Sequence, residues 1–253
     1  MIARLEPDVR ALRSPLGRMS PLTKLAVAVG WFVVLALTTR IAPPLALAVV
    51  VIAVGLVFGR ISPRTLGRGL LPLWAVALSV GFFNAIFAAA NTDPAAVEVL
   101  RLGPLRLTEA GLLGGVGLAA RVVAIAAVGV VFAQTTDSTR LVDALVQQAR
   151  LSERFAYGAL AAYQAVPRFA EDLVTLRQAR RIRGLPGGWH PRLVVGLLVL
   201  AIRHGDRLAL AMDARGFGRG PRSRYRVVAW TWLDAVAVVA AVVVAVWLAT
   251  LPV

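Results

Sequence analysis

The sequence has no cysteine, which excludes a disulfide, a thiolate metal ligand and a thiol nucleophile. It has one lysine, Lys24, and two histidines, His190 and His204. The histidines stand 14 residues apart with only Asp206 as a nearby carboxylate. Surface or capping roles are expected of them, and no metal site. No Gly-x-x-x-x-Gly-Lys-Ser/Thr phosphate loop is present, because Lys24 lacks the glycines. ATP hydrolysis is therefore not expected of this chain. His-Glu-x-x-His and Gly-x-Ser-x-Gly are missing as well, so there is no protease or hydrolase constellation. The chain reads as non-catalytic and free of cofactors. Acid is also scarce, with 13 Asp and Glu against 28 Lys and Arg, a net charge of +15.

Apolar residues are abundant. They make up 58% of the 253 residues, and the mean hydropathy is +0.75. Several runs approach the roughly 20 residues that carry a helix across a bilayer core of about 30 Å. Alternating segments of about 10 residues, the mark of a membrane β-barrel, are not seen. The expected class is an all-α polytopic membrane protein. In a soluble protein such a positive charge would suggest nucleic acid. In this composition it points to a membrane surface, loop asymmetry and an acidic partner, and no nucleic acid. Residues 1–20 are polar and broken by Pro7 and Pro15, so they do not read as a cleavable signal.

Apolar runs at 25–39, 45–58, 70–90, 111–133 and 227–250 give about five spans. They divide the chain into a basic N-terminal segment (1–24), spans one to four (25–133), a large polar block (134–226) and a last span (227–253). Charge alternates along these pieces. It is +3 through Lys24, +3 over 59–69, −1 over 91–110 and +9 over 134–226, with Arg40 alone at the first turn. This alternation places the N-terminus and the block in the cytoplasm. Arg121 and Asp234 fall inside spans, where ionisable groups pair or face water, and a pair between them is one option. Asn84 is a candidate for helix glue, and Gly111, Gly114, Gly115 and Gly117 for close helix packing. Charges inside the spans keep a stand-alone secondary transporter or channel as the alternative function.

The block is helical in pattern. Asp137-Ser-Thr-Arg140 offers a cap. A helix is expected over 152–166, and Pro167 is expected to begin another that ends at Gly184. A further helix runs over 191–216. Its apolar stretch, 193–202, is too short to span, and lies either against other helices of the block or at the membrane interface. Two of these helices end in Arg-Gly, as Arg177-Gln-Ala-Arg-Arg-Ile-Arg-Gly184 and Ala211-Met-Asp-Ala-Arg-Gly-Phe-Gly218. A helix C-terminus accommodates a cation by about 0.3–1 kcal/mol. Gly184 and Gly216 suit the left-handed residue that follows it. On local pattern, these are either ordinary C-caps or partner contacts. Three features favour contacts: the repetition, the small residues Ala209, Ala211 and Ala214, and the bidentate carboxylate chemistry of arginine.

Four pieces, in order, carry a family resemblance. They are Ser20-Pro-Leu-Thr-Lys24; Thr135-Thr136 followed by Leu141-Val-Asp-Ala-Leu145; Ala179-Arg-Arg-Ile-Arg-Gly184; and Ala211-Met-Asp-Ala-Arg-Gly-Phe217. Together they resemble the transmembrane T component of energy-coupling factor transporters, which includes cobalt, nickel and biotin T subunits. In the first arginine box, Ile182 stands where alanine is usual and Arg180 where glutamine is common, so Arg180 and Arg183 are both candidate contacts. The resemblance implies a cytoplasmic coupling domain with two long coupling helices. It implies two ABC-type ATPase partners, a substrate-binding membrane S component and the lipid bilayer. Arg183 and Arg215 would dock the ATPases, with Arg180, Ala214, Gly184 and Gly216 in support. The implied function is uptake of a vitamin or transition-metal ion across a prokaryotic plasma membrane.

Overall fold

The computed structural model describes residues 9–38, 40–93, 95–102, 105–219 and 226–250. Arg4, Glu6, Pro7 and Asp8 of the lead-in, and Gly220, Arg222 and Arg224 of the polar block, lie outside the described residues. Two short helices come first, α1 (Val9–Leu12) and α2 (Pro15–Arg18). The apolar helices α3 (Pro21–Leu37), α4 (Ala42–Val57) and α5 (Pro63–Phe87) follow. A 3₁₀ turn (Ala89–Thr92) and a hairpin of β1 (Glu98–Leu102) and β2 (Leu105–Thr108) lead into α6 (Glu109–Thr135). Then come α7 (Ser138–Gln147), α8 (Glu153–Ile182), α9 (Pro191–Ala214) and α10 (Trp232–Thr250). The protein is an all-α polytopic membrane protein. Three helices are long and apolar enough to cross a bilayer, and α3 and α4, at 17 and 16 residues, are shorter apolar helices.

The chain divides into two compact units, Met1–Leu141 with Ala229–Val253, and Val142–Val228. The first is built on α6. Its residues Ala124, Ala127, Val128 and Val131 are buried at helical spacing in one cluster with Leu35, Leu47, Val51, Leu66 and Leu70 of α3, α4 and α5. Small side chains on α6 let neighbouring backbones approach, which is how helices pack where lipid is as apolar as leucine. The closest approach is between α5 and α6. A Cβ on Gly115 would stand 2.5 Å from the Gly81 carbonyl oxygen and 2.8 Å from the Ala85 Cβ.

Several sequence expectations need correction here. The segment 59–69 is not all loop: α5 starts at Pro63, with the Ser62 hydroxyl accepting from the Thr65 N–H, so Arg64 and Arg68 are helical. Asn84 is exposed and is no glue. That role belongs to Asn91, whose Nδ2 donates to the carbonyls of Ala85 and Ile86 at 2.8 and 2.9 Å. Its Oδ1 accepts from the Thr108 N–H and hydroxyl at 3.0 and 2.8 Å. One amide thus ties the end of α5 to the N-cap of α6. The hairpin was also missed. Leu100, Leu102, Leu105 and Leu107 alternate with polar residues, a two-residue period that a charge count does not see.

The corrected position of Asp234 explains the end of the bundle at which α3 and α10 begin. Asp234 is in the first turn of α10, at the end of the span rather than within it, and makes no pair with Arg121. Its Oδ2 accepts from the N–H and hydroxyl of Thr231, at 2.7 and 2.8 Å, so the carboxylate reaches back to the residue that heads the helix, one half of a capping box. Its Oδ1 accepts from the Ser20 N–H at 2.8 Å. Ser20 heads α3 without a side-chain cap bond. Nearby, the buried Lys24 ammonium donates to the Thr135 carbonyl at 2.6 Å, and Arg140 reaches the Gly17 and Arg18 carbonyls. The Asp137 carboxylate caps α7 through the Arg140 N–H at 2.9 Å. Ser20, Thr23, Lys24, Gln134, Thr135 and Asp234 are all buried. The Ser20–Asp234 and Lys24–Thr135 bonds join the starts of α3 and α10 to the end of α6, while Thr23 Oγ1 and Gln134 Oε1 are buried without a hydrogen-bond partner. Asp234→Ala strands three donors, and a loss of about 2–3 kcal/mol is expected, read as a lower melting temperature in detergent. Asp234→Asn should recover part of it, since one acceptor oxygen remains.

Candidate functional site

The second unit is formed mainly by α8 and α9. Pro167 does not start a new helix: α8 runs through it for 30 residues. A proline inside a helix removes one hydrogen bond and crowds the carbonyl four residues back, which a long, otherwise bonded helix can absorb. The two helices meet where Gly196 of α9 faces Leu176 of α8, an added Cβ lying 3.4 Å from Leu176 Cδ1. At the other end, Arg154 at the start of α8 donates from Nη2 to the Gly218 carbonyl, just past α9, at 3.0 Å. The helices are therefore antiparallel. Arg183 and Arg215 sit at opposite ends of the pair, separated by a 24-residue helix, on the order of 36 Å.

Each helix ends in the same hydrogen-bonded turn. After α8, the Leu185 N–H bonds the Arg180 carbonyl and the Gly184 N–H bonds the Arg181 carbonyl, both at 3.0 Å. After α9, the Phe217 N–H bonds the Met212 carbonyl at 2.9 Å and the Gly216 N–H bonds the Asp213 carbonyl at 2.8 Å. These are two complete Schellman motifs. Gly184 and Gly216 have φ of +72° and +68°, the left-handed conformation that favours glycine. Arg183 and Arg215 are the C-cap residues, with nearly equal backbone angles, φ/ψ of −83°/11° and −85°/7°. Gly216→Ala is expected to cost about 1 kcal/mol. Faster hydrogen exchange at the Phe217 amide would report the frayed cap, and Gly216→Asn should restore much of the protection.

Both arginine side chains are exposed, as is Ala214. Arg180 is only half-buried as a residue, but its Nε is buried without a hydrogen-bond partner, as is that of Arg177. Arg180 thus packs along the helix while Arg183 stands clear of it. Ile182 is 87% exposed, so its bulk relative to alanine disturbs no packing. Sequence reasoning passed over Arg154 and Arg219. Arg219 pairs with Asp213 at 3.1 Å on the exposed face of the second turn. Arg154 holds that turn from 64 residues away in sequence, with no local signal to reveal it. His190 is the N-cap of α9, its Nδ1 accepting from the Arg192 N–H at 3.1 Å. Among the described residues no three His, Asp or Glu side chains cluster to hold a metal.

A further clamp closes the unit. Gln147 donates from Nε2 to the Arg226 carbonyl and accepts from the Val228 N–H, at 2.8 and 3.0 Å. Tyr157 donates to the Asp143 carboxylate at 2.8 Å. On α9, Leu193 is buried, but Val194, Val195, Leu198, Val199 and Ile202 are exposed. The apolar stretch is therefore not covered by other helices of its own unit.

The described residues thus comprise a bundle of apolar membrane helices and a helical unit whose two long helices end in matching arginine caps. Residues 13–227 match the family described as CbiQ, cobalt transport protein, and the chain belongs to that family. It is similar to the energy-coupling factor transporter transmembrane protein EcfT of Limosilactobacillus fermentum, 26% identical over 92% of this chain and 91% of that one. The protein of the same description from Heliobacterium modesticaldum is 27% identical over 85% and 84%. An ABC transporter ATP-binding protein of Bifidobacterium longum is 26% identical over 73% of this chain, within 24% of its own length.

Proposed function

We propose that this chain is the transmembrane coupling subunit of an energy-coupling factor importer of a prokaryotic plasma membrane. It joins two cytoplasmic ABC-type ATPases to a substrate-binding membrane subunit that takes up a vitamin or a transition-metal ion. The observation that carries this reading is the pair of matching Arg-Gly caps at opposite ends of α8 and α9. A separation on the order of 36 Å is too great for one small contact and suits one cap per ATPase. Arg183 and Arg215 are the docking cations, presented on rigid turns by Gly184 and Gly216, with Ala214 allowing close approach. Arg180 packs behind Arg183. The relatives described as energy-coupling factor proteins, and the alignment within a longer ATP-binding protein, support ATPase partners.

The exposed apolar half of α9 is the surface for the membrane-embedded substrate subunit or the bilayer interface. Segment 1–24 and block 134–226 lie in the cytoplasm, on the strength of the +3 and +9 charges against −1 at 91–110. Spans one to four occupy 25–133 and the last span 227–253. The chain itself does no chemistry.

One observation favours a second reading, a stand-alone transporter. Arg121 lies in the middle of α6 with its Nε buried and unpartnered, and such groups mark ion paths. Reconstitution in liposomes separates the two. Uptake that requires the ATPases, ATP and a substrate subunit supports coupling, whereas uptake by this chain alone without ATP overturns it.

A further inference from the structure

The first unit contains a cavity of about 410 Å³, within the roughly 300–1,000 Å³ of ligand pockets. It is walled by α3, α4, α6 and α10, with α2 at one end. We propose that it is a phospholipid site that takes one acyl chain of an anionic lipid, with the headgroup at Arg13, Arg18 and Arg60.

The chemistry of the walls selects the occupant. Lys24 and Thr135 bring the main polar groups to the lining, and each is bonded within the chain. The Lys24 ammonium bonds the Thr135 carbonyl at 2.6 Å, and the Thr135 hydroxyl donates to the Val131 carbonyl at 2.8 Å. The lining offers a metal ion no carboxylate or imidazole, and a polar vitamin little to bond with. The remaining walls are apolar, among them Ala28, Trp31, Val131, Ala237 and Ala240. An apolar groove in a membrane bundle is filled by what surrounds it, hydrocarbon. Its length also fits. Lining residues on α10 run from Trp232 to Val244, about 18 Å of helix. One leaflet of a hydrocarbon core of about 30 Å is roughly 15 Å deep.

The rim selects the headgroup. Pro15, Leu16 and Met19 close one end of the cavity, and Arg13 and Arg18 beside them are exposed. Phe58 lines the wall at the same end, and Arg60, two residues on, is exposed. Among the described residues the carboxylates near this end are Asp234, which serves Ser20 and Thr231, and Asp137, which caps α7, and they are outnumbered by Arg13, Arg18, Arg60 and Arg140. The rim is left positive, and basic pockets between membrane helices bind anionic headgroups.

Native mass spectrometry tests this on the full-length chain, alone and with its copurifying partners, after exchange against phosphatidylglycerol or phosphatidylcholine of matched chains. One retained phosphatidylglycerol per chain is expected, preferred over phosphatidylcholine by on the order of tenfold or more. Ala240 lines the cavity on its open side, so Ala240→Phe should displace the lipid at an unchanged melting temperature. If that variant melts early, the smaller filling Ala237→Met should still lower retention. Arg13→Gln with Arg18→Gln should keep a lipid but reduce the headgroup preference by about fivefold per arginine. Unchanged retention in a stable filled variant overturns the site. So does equal retention of the two lipids by the unmodified chain. Cross-linking of a partner's helix at Ala240→Cys, with lipid lost from the assembly, overturns it in favour of a protein occupant.

Discussion

Reversing both cap arginines, Arg183→Glu with Arg215→Glu, is expected to abolish copurification of the ATPases and ATP-driven uptake while leaving membrane insertion intact. Buried arginine anchors at interfaces cost about 2–4 kcal/mol or more when truncated. Charge reversal adds repulsion from the carboxylates that a cation would meet. Each single reversal should weaken assembly by roughly 30-fold or more, from the same energies. Because the caps lie at opposite ends of the helix pair, the two losses should be nearly additive in free energy, as for distant sites. The fold should survive, since both side chains are exposed and both turns are held by backbone hydrogen bonds. Copurification and uptake at wild-type levels in the double variant would remove Arg183 and Arg215 from the coupling role. Loss of the folded chain itself would instead mean that the arginines hold the turns.

Gly115→Ala is expected to remove most folded protein, although it adds one methyl group. Its Cβ would stand 2.5 Å from the Gly81 carbonyl oxygen and 2.8 Å from the Ala85 Cβ. The oxygen belongs to the backbone of α5 and cannot swing aside, so α5 and α6 must separate along their length. That places the cost at or above the upper end of ordinary overpacking, about 3 kcal/mol. The neighbouring Gly114 is the control. A Cβ there meets only Asn84 Oδ1, at 3.8 Å, an ordinary contact. Gly114→Ala should be tolerated, or stabilising by up to about 1 kcal/mol through helix propensity. Melting in detergent followed by size-exclusion chromatography would distinguish the adjacent substitutions. Equal behaviour of the two would mean that α5 and α6 are not packed through Gly115.

The residues that sequence reasoning placed well act through their chain neighbours. Apolar runs become helices because backbone groups must bond within the segment when no water is present. Gly184 and Gly216 end helices because a left-handed residue closes the turn with bonds only a few positions back. Gly115 was legible as a packing glycine, but not as distinct from Gly114. Which of two adjacent glycines faces the neighbouring helix depends on how α6 is rotated about its axis.

The misplaced residues act across long separations. Asp234 read as an ionisable group inside a span, and its partner is the backbone of Ser20, 214 positions away. Asn91 looked like loop, yet it joins α5 to α6. Arg154 carried no sign of the Gly218 turn that it holds. The sequence by itself therefore determined the membrane class, the apolar helices, the charge asymmetry and the two Arg-Gly helix ends, because each follows from composition or from bonds within a few residues. Only the tertiary structure decided which buried polar groups meet, which glycine touches a backbone, and that the two arginine caps stand at opposite ends of an antiparallel pair. Those choices depend on how packed helices are rotated and aligned, and a one-dimensional pattern does not carry that information.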